Sequence, residues 1–247
     1  MGRRLATLRF MNRRAFIAAL AASSASPAFA QAAPSPPAPL IYYAGQAGRL
    51  TSDRSSQGGN PFASALCEVI AQRPLTLERF TKRMAEANQI HSRGWQMMDY
   101  PRVLPDPKRR VDKGESRVAL VLINADYSKS DAYSLPGAAH DAKRVPEALI
   151  AAGYQTMLVL DATADEARAV LAQFAAASEA ADNAIIYIGG HGAQHQRSVY
   201  WMMGYFPEQS AKWLPTHAIP LSEIAKAGRA RGLNLVLYAS CRDDPFR

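Results

Sequence analysis

Two side chains suited to nucleophilic acyl chemistry stand at the ends of two similar apolar runs. Residues 184–190 (Ala-Ile-Ile-Tyr-Ile-Gly-Gly) lead into His191 and Gly192, and residues 233–240 (Leu-Asn-Leu-Val-Leu-Tyr-Ala-Ser) lead into Cys241, fifty residues further on. A cysteine attacks a carbonyl as its thiolate, which needs a base or a cationic neighbour. A histidine brought beside Cys241 would supply one. The glycines around His191 would let a substrate backbone approach closely. The N–H groups of Gly192 and Cys241 would then hold the developing oxyanion.

For this chemistry the two runs must be neighbouring strands. Apolar runs without polar alternation indicate strands buried on both faces of a parallel sheet, and in open α/β sheets function lies at the carboxyl ends of the strands. From Arg117 the pattern supports this. Val118–Ile123 reads as a strand, Leu135–Ala152 as a helix stopped by Gly153, and Thr156–Leu160 as a strand. Ala164–Ala177 reads as a helix with Leu171 and Phe174 on its face, and a further helix is expected near Leu221–Ala230. Alternating strands and helices imply a helix-covered parallel sheet.

The preceding segment, 40–100, carries elements of its own. Leu40–Ala44 is strand-like, and Gly45–Gly59 is a Gly/Ser-rich loop. Asn60 caps a helix with Pro61 at its first position and Phe62, Leu66, Val69 and Ile70 on one face. A second helix is expected over Thr76–Ile90, and a short edge strand over Trp95–Tyr100. Prolines 101, 105 and 107 and the run Lys108-Arg109-Arg110 mark residues 101–116 as a solvated linker.

Composition bounds the function. The 247 residues are 48% hydrophobic with a formal net charge of +8, a globular balance. Five arginines and no acid lie within residues 1–30; beyond them 24 basic residues nearly balance 21 acidic ones, so the charge does not indicate a nucleic-acid partner. Residues 12–17 (Asn-Arg-Arg-Ala-Phe-Ile) resemble a twin-arginine export motif, and Ala28-Phe29-Ala30 resembles a cleavage site before Gln31. Residues 1–30 therefore read as a signal peptide directing export to the periplasm, too short and Ala/Ser-rich for a stable membrane span, and residues 31–39 as a proline-rich linker. Two cysteines, Cys67 and Cys241, imply no disulfide framework.

The His-Gly and Cys-Arg strand ends, their separation, and the Cys241-Arg242-Asp243-Asp244-Pro245-Phe246 close resemble the caspase and metacaspase family of cysteine peptidases. The resemblance extends over nearly all of residues 40–247: residues 117–247 look like the large-subunit half and residues 40–100 like the small-subunit half. Their order is the reverse of the usual one, similar to type III metacaspases. The resemblance thus implies a three-layer α/β/α caspase-like fold with a mostly parallel central sheet, circularly permuted. It implies a Cys-His dyad acting on peptide or protein substrates without a cofactor. It makes Asp141, in His140-Asp141-Ala142, the match to a substrate-pocket acid that favours basic residues before the scissile bond.

The chain departs from the family where Ala239 replaces a second pocket acid and where Met202-Met203-Gly204-Tyr205 replaces an Asp-containing calcium-binding run. Basic preference is thereby weakened or altered, and the calcium-binding acids of the family have no clear match here. His195, four residues after His191, does not make a zinc motif, because Gly192 stands where the motif needs Glu, and no metal site is expected. Asp141 alternatively reads as a helix N-terminal charge, and Cys67 as a small buried hydrophobe. The alternative function is a catalytically silent caspase-like module that binds peptides or a regulatory partner.

Overall fold

The computed structural model describes the backbone of Arg9–Phe10 and residues 35–246. The rest of the expected signal peptide and residues 31–34 of the linker after it lie outside the described residues. In chain order the strands are β1 (Arg9–Phe10), β2 (Leu40–Tyr43), β3 (Arg117–Ile123), β4 (Gln155–Leu160), β5 (Asn183–Gly189), β6 (Gly192–His195), β7 (Ser198–Met202), β8 (Ala218–Pro220) and β9 (Leu233–Tyr238). The helices are α1 (Pro61–Ile70), α2 (Leu77–His91), α3 (Pro136–Ala151), α4 (Ala164–Glu179), α5 (Leu214–His217) and α6 (Leu221–Ala225). Among the described residues no helix is long and apolar enough to cross a membrane.

Five parallel strands in the order β4-β3-β5-β9-β2 form the central sheet, with β1 antiparallel on the β4 edge. Because side chains alternate across a strand, each central strand feeds two cores. Val121, Tyr187 and Leu235 point to one face, where they pack with Phe62, Leu66, Phe80 and Met84 of α1 and α2 and with Val145 and Leu149 of α3. Leu120, Ile186 and Val236 point to the other, against Leu171 and Phe174 of α4 and Ile224 of α6. This is a three-layer α/β/α arrangement, as expected.

Residues 40–100 have no core apart from this one. Strand β2 lies parallel to β9, Leu40 opposite Leu235 and Tyr43 opposite Tyr238, as the expected shared sheet requires. Helix α1 starts where Asn60 accepts the Phe62 N–H at 2.8 Å, and α2 where Thr76 accepts that of Arg79 at 3.2 Å.

Three expectations change. Trp95–Tyr100 is not a strand: its one ladder contact is the antiparallel bridge between Asp99 and Tyr43, because Gln96 turns inward to bond Asn88 and Ser52. The helix near 221–230 stops at Ala225, since Ser178 and Asn234 take the backbone of residues 227–230 into a loop. Residues 101–116 are solvated only in part. Lys108 is exposed, but Arg110 grips Asp112 through two 2.7 Å bonds, Val111 is buried, and Asn183 Nδ2 donates to the Lys113 carbonyl at 2.7 Å.

Candidate active site

The carboxyl ends of β5 and β9 deliver the two reactive residues to one cavity of about 90 Å³. Past β5, Gly190 turns the chain at φ 126°, where an added Cβ would press on the Asn124 carbonyl and the Tyr127 hydroxyl. The next residue is His191. Past β9, the Ala239 N–H bonds the Ile188 carbonyl at 2.8 Å, which holds the exit of the Cys241 strand against that of the His191 strand. His191 and Cys241 line the cavity together with Thr51, Asp53, Asn60, Asp141 and Tyr187.

His191 is fixed on three sides. Its N–H donates to the Tyr127 hydroxyl at 2.8 Å, and the two rings meet edge to face at 4.4 Å. Its Nε2 lies 2.8 Å from the Tyr133 carbonyl. A carbonyl only accepts, so Nε2 carries the proton and Nδ1 is the lone-pair nitrogen of the neutral ring. Burial pushes the Tyr127 phenol far above its ordinary range, so it is a neutral donor to the Met202 carbonyl, 3.1 Å away.

Cys241 is held from the other half of the chain. Its Sγ receives the Thr51 N–H at 3.2 Å and lies 3.5 Å from Thr51 Oγ1. Burial raises the thiol above its usual value, and the Thr51 hydrogen bonds oppose that rise. No hydrogen bond joins the described side chains of His191 and Cys241; the shared cavity is what associates them.

Gly192 begins β6. The β6–β7 hairpin turns through Gln196 and Arg197, both at positive φ, the turn that pairs His195 with Ser198. Hydrogen-bonded pairs alternate along an antiparallel ladder. Met202 N–H bonds the His191 carbonyl, and Gln194 N–H turns away from β7 to bond the Asp243 carbonyl at 2.8 Å. The Gly192 N–H, two residues before Gln194, therefore faces the Cys241–Asp243 side. A Cβ at Gly192 would collide with the Tyr238 hydroxyl and Ser240, so only glycine fits.

Asp141 lines the cavity but is already occupied. Arg144 Nε donates to it at 2.7 Å and the Asn60 N–H at 3.0 Å. Burial nevertheless pushes its carboxyl up to about 6, against the opposing pull of Arg144. Asp53, from the Gly/Ser-rich loop, caps α3 by accepting the Gly137 and Ala138 N–H groups at 2.8 and 2.9 Å, and burial raises its carboxyl too. Among the described residues the fully buried Tyr187 hydroxyl has no hydrogen-bond partner. Ala239 contributes only backbone, its carbonyl accepting from Asn60 Nδ2 at 2.9 Å and Thr51 Oγ1 at 3.3 Å.

Thr51, Asp53, Tyr127 and Tyr187 were not singled out from the sequence. Asp53 had one usable signal, an acid in a glycine-rich loop; Thr51 had none. Among the described residues no group of three His, Cys, Asp or Glu side chains could hold a metal ion. His195 faces Asp244 at 3.2 Å instead of pairing with His191.

Against known proteins, the model of the caspase-domain family matches residues 116–246. No curated protein matches the chain.

Proposed function

This chain belongs to the caspase-domain family, and on that premise we propose that it is a cysteine endopeptidase working through Cys241 and His191. The observation that carries the reading is the single cavity lined by both side chains at adjacent strand ends. In the proposed cycle His191 Nδ1 takes the Cys241 proton, the resulting thiolate attacks the peptide carbonyl, a C–S bond forms, and the carbonyl electron pair moves to oxygen. The N–H groups of Gly192 and Cys241 hold that oxyanion. Collapse breaks the C–N bond as His191, protonated on Nδ1, gives its proton to the leaving amine. Water, deprotonated by His191, then hydrolyses the thioester and restores the thiol. The Tyr133 carbonyl keeps Nε2–H oriented throughout, and no cofactor takes part.

The acids Asp53 and Asp141 in the cavity support a preference for substrates with a basic residue before the scissile bond. Arg144 already neutralises much of Asp141 and Ala239 adds no carboxylate, so this preference is weak. The pairing of β2 with β9 supports a circularly permuted chain, with residues 40–100 serving as the small-subunit half and residues 117–247 as the large. The arginine pair at 13–14 and the Ala28-Phe29-Ala30 sequence support export to the periplasm.

Cleavage of a peptide library by the purified protein, with Cys241→Ala as control, tests the assignment. The expected result is turnover that the substitution abolishes; equal turnover by Cys241→Ala refutes it. A second reading, a silent peptide-binding module, is favoured by the raised Cys241 thiol and its lack of a bond to His191. Saturable peptide binding without turnover selects it.

A further inference from the structure

The geometry points to Thr51 as the residue that stabilises the Cys241 thiolate, so that the front of the chain sets the reactivity of the nucleophile at its end. The inference rests on the proposed role of Cys241. It begins from two donors of one residue converging on one sulfur: the Thr51 N–H at 3.2 Å and the Thr51 hydroxyl at 3.5 Å from Sγ.

The hydroxyl has one proton and two acceptors in reach, Sγ and the Ala239 carbonyl at 3.3 Å. A neutral thiol is a weak acceptor and a thiolate a strong one. In the thiol form the proton belongs on Ala239; on ionisation it swings to sulfur, while the N–H strengthens where it stands. Both contacts thus favour the charged form and outweigh the longer bond of the thiol to the Thr51 carbonyl at 3.9 Å, which favours the neutral one.

Thr51 is fixed in place for this. Two residues before it, the Arg49 carbonyl accepts the Arg242 N–H at 3.0 Å, and Gly48 N–H bonds the Arg242 carbonyl at 2.9 Å. One residue after it, the Ser52 N–H bonds Gln96 Oε1 at 3.0 Å. Gln96 is itself held by Asn88, whose Nδ2 donates to the Gln96 carbonyl at 3.0 Å and whose Oδ1 accepts from Gln96 Nε2 at 2.8 Å. Donors locked in advance lose little entropy when charge develops.

Other charged or titratable groups act on the same sulfur. Asp243, on its own segment, disfavours the thiolate. The phenols of Tyr127 and Tyr238 lie within electrostatic reach. His191, Asp53 and Asp141 line the cavity. Of these only His191 can carry positive charge, and it has no hydrogen bond to Sγ, which leaves Thr51 as the group in direct contact.

The test is the rate of Cys241 alkylation by iodoacetamide against pH, read by mass spectrometry of the Cys241 peptide, in wild type, Thr51→Val, Thr51→Ala and Thr51→Ser. Valine keeps the shape and the N–H and removes the hydroxyl. The expected result is a midpoint raised by ~1 unit and a rate at pH 7 lower by about tenfold in Thr51→Val and Thr51→Ala, with Thr51→Ser close to wild type. The limiting rate at high pH should stay unchanged, which shows that the site is still folded and the thiol equally accessible. An unmoved midpoint overturns the inference, as does faster alkylation at pH 7, which would make Thr51 a cover over the thiol. Neither result depends on peptide cleavage, so failure here and failure of the peptidase assignment are read separately.

Discussion

Residues 40–115 and residues 116–246 contribute to the candidate active-site cavity in different ways. The second region carries His191 and Cys241, and it alone matches the caspase-domain family. The first carries neither, yet Thr51 touches the sulfur, Asn60 holds the carbonyl beside it, and Asp53 caps the helix that bears Asp141. One region thus presents reactive groups and the other sets their environment. The division makes physical sense, because a strand end places a side chain well but leaves its far side open. Here that side is closed by a loop anchored through Gln96 on Asn88 of α2 and through Asp53 on the start of α3.

Arg242 is where the division is most exposed to attack. It is 7% exposed, its Nη1 bonds Asp99 at 2.8 Å, its Nε bonds Gln194 at 3.1 Å, and its guanidinium lies 3.8 Å from the Tyr43 ring centroid. It therefore ties β2, the 96–99 segment and β6 together. Arg242→Ala should cost roughly 2–3 kcal/mol, since it removes stacking, packing and an ion pair whose Asp99 partner is half-exposed. Urea unfolding should show one transition moved to lower urea. Two separated transitions would mean that the regions fold independently, and the comparison would fail.

Asp141 sharpens the same comparison, since the donors that satisfy it come from both regions. Its carboxyl ordinarily titrates at 3.8 and is pushed up to about 6 in the fold. Between those values the folded chain binds more protons than the unfolded one, so stability falls as pH rises through the window and is flat above it. Asp141→Asn removes this dependence. The stability difference, variant minus wild type, should therefore climb between about pH 4 and pH 6 by up to ~3 kcal/mol, whatever its starting offset. The raised Asp53 carboxyl is present in both proteins and cancels apart from its repulsion of Asp141. Parallel stability–pH curves would show that Arg144 and Asn60 fully compensate the burial of Asp141.

How much of this was legible in the sequence follows the same line. Strands β3, β5 and β9 were plain because uninterrupted apolar runs signal burial on both faces, and so was the placement of His191 and Cys241 together at the ends of β5 and β9. Helix α1 was legible from Asn60-Pro61. The β6–β7 hairpin was not, because its turn uses Gln196 and Arg197 at positive φ where Asn and Gly are usual. Thr51 was illegible for a different reason. A threonine in a Gly/Ser-rich loop gains meaning only when the loop is bonded to Arg242 and Gln96, contacts 197 residues apart in one case and 44 in the other. Asp141 was legible as a pocket residue, while its partner Arg144, one helical turn on, gave no sign of occupying it.

Tyr127 offers the smallest and most selective disturbance. Its hydroxyl accepts the His191 N–H at 2.8 Å and donates to the Met202 carbonyl at 3.1 Å. Tyr127→Phe keeps the ring that meets His191 edge to face and deletes only these two bonds. Both belong to residues 116–246, so the effect should stay on the histidine side of the site. Peptide cleavage should fall about tenfold in kcat, equivalent to ~1.4 kcal/mol, with KM little changed, because the imidazole is less well oriented for proton transfer. The alkylation midpoint of Cys241 should hardly move, since Thr51 and its anchors are untouched. A large shift in that midpoint would show that His191, through Tyr127, governs the thiol after all, and that the two regions do not divide the work as their contacts imply.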